Sequence, residues 1–176
     1  SEIEAAGVGR PRDPDGALLY PGLCKGWARA EIERRRTADQ PYALRIDVER
    51  AVEIAEEKLA GAPLTFTDLL EGGVAQTMIA RPQMWGDAVI VRKDVPASYH
   101  LAVVVDDAWQ GVSHVTRGRD LYAATHLHRL LQVLLDLPEP LYHHHRLVTD
   151  ASGRKLSKSA RDTSLASLRE EGFQTA

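Results

Sequence analysis

The stretch Gly153-Arg154-Lys155-Leu156-Ser157-Lys158-Ser159 decides how this chain is read, taken together with Val115-Thr116-Arg117-Gly118-Arg119-Asp120 about one helix earlier. Two lysines and two serines on a short, glycine-led loop form a mobile cluster of ammonium and hydroxyl donors. Such a surface can grip a polyphosphate as charge moves along it. Exposed loops also collect these residues for solubility, so placement carries more weight than composition. The loop follows a helical stretch, a turn with Pro138 and Pro140, and the short apolar run Arg146-Leu147-Val148-Thr149, expected as a strand. An α/β sheet presents functional loops in this way, at the C-terminal ends of its strands.

Lys155-Leu156-Ser157-Lys158-Ser159 resembles the Lys-Met-Ser-Lys-Ser motif of class I aminoacyl-tRNA synthetases. The segment Ser98-Tyr99-His100-Leu101-Ala102-Val103-Val104-Val105-Asp106-Asp107, continuing through Gly111-Val112-Ser113-His114-Val115-Thr116-Arg117-Gly118, is similar to the matching block of the glutamyl branch. His126-Leu127-His128-Arg129-Leu130-Leu131, Leu137-Pro138 and Tyr142-His143-His144-His145 resemble most the short glutamyl-queuosine tRNA(Asp) synthetases. The likeness is strong from Gly86 to Gly172 and faint before it. It implies an α/β fold: the second half of a Rossmann-like class I catalytic domain (86–176), preceded by a connective insertion (1–85).

Composition sets outer bounds. A chain of 176 residues with 44% hydrophobic and 27% charged residues suits one globular domain, or a domain with a small appendage. A net charge of −3 argues against a bulk nucleic-acid coat but permits one local basic face. The single cysteine, Cys24, cannot form an internal disulfide, and no apolar run reaches the ~18 residues a membrane helix needs. A cytoplasmic, monomeric protein is expected, with no membrane partner.

Along the chain, breakers from Gly7 to Gly22 predict an irregular lead-in. Lys25 to Arg36 reads as a helix whose final arginines, Arg34, Arg35 and Arg36, suit the negative end of its dipole; solvation and an RNA contact are both open to them. Tyr42 to Ile46 alternates as a strand. Asp47 is placed to cap a helix ending at Gly61, with Val48, Ala51, Val52, Ala55 and Leu59 on one face. Leu64 to Met84 resists assignment apart from a turn at Gly72-Gly73 and a break at Arg81-Pro82. Asp87 to Arg92 reads as a buried strand. Leu101 to Val105 has strand propensity, whereas Tyr99, Ala102, Val103 and Asp106 fall at helical spacing; the resemblance implies the helix. A strand is expected over Val112–Thr116, then a helix capped by Asp120 and running through Leu121, Leu127, Leu130, Leu131 and Leu134. A short closing helix is expected from Asp162 to Gly172.

The resemblance also implies chemistry. In that family a carboxylate of the amino acid attacks the α-phosphate of ATP, giving an aminoacyl-adenylate before transfer to RNA. Lys158, and second Lys155, are the expected catalytic cations, with Ser157 and Leu156 completing the ATP-binding loop. Magnesium is expected to accompany ATP. Tyr99 and Arg117 are the expected glutamate ligands, since a guanidinium can hold a carboxylate at two points. On residue chemistry alone, Arg117 could instead pair with Asp106, Asp107 or Asp120. The RNA partner is expected to be tRNA(Asp), or tRNA(Glu) if the chain comes from a discriminating glutamyl-tRNA synthetase; a non-catalytic RNA-binding or regulatory remnant is a third reading.

Seven histidines invite a metal site, yet His126 and His128 cannot share a helix face and no cysteine pair is present. Many relatives hold zinc through three cysteines and a tyrosine ahead of the helix at Asp47; only Cys24 remains here, so no zinc is expected. No histidine precedes His100, so the first-half His-Ile-Gly-His element is missing. The polypeptide is expected to be a fragment, inactive alone.

Overall fold

The computed structural model describes residues 11–38, 41–149, 153–156 and 169. Three parallel strands and one antiparallel edge strand form the main sheet. Its members are β2 (Thr65–Leu69), β3 (Ala75–Ile79), β5 (His114–Gly118) and β6 (Leu141–His145), in the order β3-β2-β6-β5. β2 runs parallel to β6 and antiparallel to β3, and β5 runs parallel to β6. A separate antiparallel pair joins β1 (Leu44–Arg45) to β4 (Val89–Val91). Three helices pack around these strands: α2 (Val48–Lys58), α3 (Tyr99–Trp109) and α4 (Tyr122–Leu134). A fourth, α1 (Arg29–Thr37), has no buried residue.

Local chemistry accounts for most boundaries. The Asp47 carboxylate accepts from the Arg50 amide to start α2, and Gly61, with φ of 81°, follows its end in the left-handed region. Ser98 caps α3 in the same manner, accepting from the Leu101 amide. That helix therefore forms although Leu101–Val105 is β-prone. Gly72 and Gly73, both at positive φ, turn β2 back into β3 and make a hairpin of the stretch that periodicity leaves unassigned.

Four expectations need correction. The expected strand Val112–Thr116 lies two residues later, at His114–Gly118. The Val112 amide is still engaged by the Asp107 carbonyl at the end of α3, so pairing begins only beyond it. Arg117 therefore sits within the strand. The strand leading to the lysine loop is Leu141–His145, because β5 fixes its register from Leu141 to His145; of the run Arg146–Thr149, Thr149 makes only an isolated bridge to Lys155. Asp120 does not cap α4. A 3-10 turn over Arg119–Leu121 delays the helix to Tyr122, and the Asp120 carboxylate is taken by Lys155. The helix expected from Lys25 begins at Arg29, and Lys25 instead bridges Asp47 and Asp87 at 3.1 Å each. The closing helix expected over 162–172 falls outside the described residues, Arg169 excepted.

The core lies between the sheet and the α2/α4 pair, with Val48, Ala51 and Ala55 of α2 and Leu127, Leu130 and Leu131 of α4 buried together. Phe66 of β2, fully buried, meets Tyr122, His126 and Tyr142 edge-on at centroid distances of 5.9, 5.2 and 5.8 Å. This one ring ties β2 to α4 and β6. Phe66→Ala is expected to cost about 3–5 kcal/mol, from lost transfer energy and the cavity left behind. Urea denaturation of the full-length protein checks this, and a loss below about 1 kcal/mol would show that the sheet does not depend on this contact.

Candidate active site at the C-terminal edge of the parallel sheet

Alternation along each parallel strand turns every second side chain toward α4. On that face β2 carries Phe66 then Asp68, β6 carries Tyr142 then His144, and β5 carries Val115 then Arg117. The chain thus lays a largely apolar row first and a polar row, Asp68, His144 and Arg117, nearer the C-terminal ends. That is the edge where open α/β sheets bind ligands.

Arg117 lies in this polar row, 9% exposed. Its Nε donates to His144 Nε2 at 3.3 Å and its Nη2 to Thr125 Oγ1 at 2.5 Å; its Nη1 lies 3.3 Å from His128 Nδ1. Its carbon stands 5.3 Å from the Tyr142 ring centroid. None of Asp106, Asp107 and Asp120 forms an ion pair with it. Among the described residues the guanidinium is held by neutral partners, and these bonds leave one N–H on each Nη for a further acceptor. A buried cation without a carboxylate is costly unless a ligand supplies one.

The surrounding histidines are tuned to stay neutral. Burial, then the nearby Arg117 charge, pushes His128 down to about 2. His100 and His144 are lowered chiefly by burial, and for His144 the hydrogen bond to Asp68 only partly opposes that shift. The Asp68 Oδ1–His144 Nδ1 contact, 2.8 Å, is thus a hydrogen bond at a place where burial disfavours the charged imidazole.

Tyr99 opens α3 and is half exposed. Its ring lies 5.7 Å from that of His128, which itself touches Arg117, so one histidine links the two expected glutamate ligands. On the other side, Asp120 stands three residues beyond Arg117 and binds Lys155, which holds the Asp120 carboxyl below the usual carboxylate range. Leu156 donates its amide to the Val148 carbonyl at 3.0 Å, closing the base of the lysine loop. Gly118 permits this close approach: a Cβ there would clash with the Asp120 carboxylate and stand 3.1 Å from Leu147. Ser157 and Lys158 lie outside the described residues.

Sequence reasoning missed Thr125, His128, His144 and Asp68. The signal was present for two of them: Thr125, His128 and Gln132 recur at i, i+3 and i+7, a polar stripe on a buried helix. The three final arginines of α1 are engaged locally, Arg34 and Arg35 with Glu31 and Arg36 with Glu33. Among the described residues no group of three His, Cys, Asp or Glu could hold a metal ion, and no helix is long and apolar enough to cross a membrane.

A mixed α/β fold with a parallel sheet, a buried arginine near its C-terminal edge and Lys155 bound to Asp120 beside it have the layout of a class I synthetase catalytic domain. Residues 20–175 match the family tRNA synthetases class I (E and Q), catalytic domain, and the chain belongs to that family. It is a homologue of the glutamyl-Q tRNA(Asp) synthetases. It is 40% identical over 168 residues to the one from Rhodobacter capsulatus, covering 96% of this chain and 57% of that protein. It is 39% identical over 160 residues to the one from Geobacter sulfurreducens, covering 91% and 44%. The chain thus spans about half the length of the curated relatives it matches. Its fold is also that of part of a glutamate tRNA ligase from Elizabethkingia meningosepticum, with a TM-score of 0.60 at 21% identity over 98% of this chain and 30% of the other.

Proposed function

We propose that this chain supplies the second half of a catalytic domain that activates glutamate with ATP and transfers it to queuosine in tRNA(Asp). On this reading residues 1–85 are the connective region and 86–176 the half-domain carrying the lysine loop, in a monomeric, cytoplasmic enzyme that needs no zinc. The observation that carries the reading is the buried Arg117 guanidinium, hydrogen-bonded by neutral groups and lacking a carboxylate of its own among the described residues.

Each residue then has a stated task. Arg117 and the Tyr99 hydroxyl hold glutamate, and the packed neighbours of Arg117 keep its fork in one orientation. A substrate carboxylate oxygen attacks the α-phosphorus of ATP; a P–O bond forms, the bond to the bridging oxygen breaks, and pyrophosphate leaves. Lys158, with Lys155, Ser157 and the loop backbone at Leu156, neutralises the charge that gathers on the phosphoryl oxygens. A hydroxyl of the RNA then attacks the adenylate carbonyl and displaces AMP.

The likeness to glutamyl-Q tRNA(Asp) synthetases at about 40% identity favours queuosine as acceptor over the 3′ end of tRNA(Glu). The test is attachment of radiolabelled glutamate by the full-length protein to tRNA(Asp) with queuosine, tRNA(Asp) without it, and tRNA(Glu). Labelling of only the first is expected. Labelling of tRNA(Glu) transfers the chain to the discriminating glutamyl-tRNA synthetases, and labelling of none overturns the enzymatic reading.

A further inference from the structure

The network behind Arg117 has a feature that neither substrate contact nor packing requires: one arrangement of its protons satisfies every contact in it. A guanidinium donates and never accepts. His144 Nε2, 3.3 Å from Arg117 Nε, must therefore present its lone pair. In a neutral ring the proton then sits on Nδ1, which faces Asp68 Oδ1 at 2.8 Å. Thr125 Oγ1 accepts from Arg117 Nη2, and in this tautomer its own hydroxyl proton shares the His144 Nε2 lone pair, 2.9 Å away, with Arg117 Nε–H. His128 Nδ1 likewise accepts from the guanidinium, which leaves Nε2–H to donate to His100 Nδ1 at 3.1 Å. Asp68 is the one carboxylate hydrogen-bonded into this network among the described residues. It is 6% exposed, and it comes from β2, far from Arg117 in sequence.

We propose that Asp68 is a positioning residue for the glutamate site, acting through His144 to fix the imidazole tautomer that holds the Arg117 guanidinium in its binding orientation. The proposal rests on Arg117 being a glutamate ligand. With the opposite tautomer, an N–H on Nε2 would face the N–H of Arg117 Nε, and the guanidinium would have to turn away. Asp68 then does for an arginine what a buried aspartate does for the histidine of a hydrolase triad, choosing which nitrogen carries the proton. A purely structural Asp68, tying β2 to β6, predicts something else: lower stability with an unaltered site.

The deciding variant is Asp68→Asn, nearly isosteric, whose amide can turn its NH2 to His144 Nδ1 and so favour the wrong tautomer. In the full-length protein the KM for glutamate in pyrophosphate exchange should rise about tenfold, the worth of one charge-assisted contact, with a smaller change in kcat. His144→Gln keeps an acceptor near the Nε2 position without needing Asp68, so Asp68→Asn in that background should add little to KM. Histidine-ring 15N–1H correlation spectra read the tautomer directly. The wild type should show His144 protonated on Nδ1, and Asp68→Asn should move the proton to Nε2. An Nε2-protonated His144 in the wild type overturns the proposal, as does an unchanged KM with an unchanged spectrum in Asp68→Asn. Should the wild type perform no glutamate-dependent exchange, the proposed function falls, while the ring spectra still decide whether Asp68 sets the tautomer.

Discussion

Arg117→Lys is expected to raise the glutamate concentration needed for half-maximal pyrophosphate exchange by about 10- to 100-fold, with a smaller loss in kcat. The magnitude follows from hydrogen bonds to a charged group, about 1.5–3 kcal/mol, converted at 1.4 kcal/mol per tenfold. Lysine keeps the positive charge, so long-range attraction for a carboxylate survives. What it lacks is the planar fork. In the native protein that fork spends Nε on His144, one Nη1 proton on the His128 side and one Nη2 proton on Thr125, and two-point contact with a ligand uses the remaining protons. An ammonium on a flexible stem cannot meet these acceptors and a substrate together. Steady-state exchange kinetics across glutamate concentrations provide the check. An unchanged KM would remove Arg117 from the binding site and, with it, the link between this buried cation and an amino-acid substrate.

Lys158→Ala is expected to lower the maximal exchange rate by on the order of a hundred-fold or more while leaving the glutamate KM within a few-fold of normal. A positioned cation that meets phosphoryl oxygens as charge accumulates stabilises the transition state more than the ground state, and its loss falls on kcat. The same substitution at Lys155 should cost less. Lys155 is already paired with Asp120, so part of its charge is spent on anchoring the loop to the edge that holds Arg117. Exchange at near-normal rate in Lys158→Ala would end the assignment of this loop to ATP. Opposite signatures in the two variants, KM for Arg117 and kcat for Lys158, would separate substrate grip from phosphoryl chemistry.

Helices α2 and α4 could be read from the chain because the 3.6-residue repeat of Val48, Ala51 and Ala55, and of Leu127, Leu130 and Leu134, is a local property of the sequence. The turn at Gly72-Gly73 and the cap at Asp47 follow from the same short-range chemistry. The family was legible too, since Lys155 to Ser159 and the block around Arg117 are contiguous motifs. Asp120 misled: it has the composition of a helix cap, yet a lysine 35 residues later competes for its carboxylate with full charge, where backbone amides offer only partial charge.

What the sequence by itself determined, then, is the class of chain and its main helices. What only the tertiary structure decided is who holds Arg117. Its neighbours lie 8, 11 and 27 residues away, and Asp68 stands 76 residues from His144, separations at which no local pattern marks partners. Parallel pairing of β2, β6 and β5 brings them to one row, and burial beneath α4 disfavours the charged form of His128 and His144, so that a cation with aspartates near it in sequence is held in space by a threonine and two histidines.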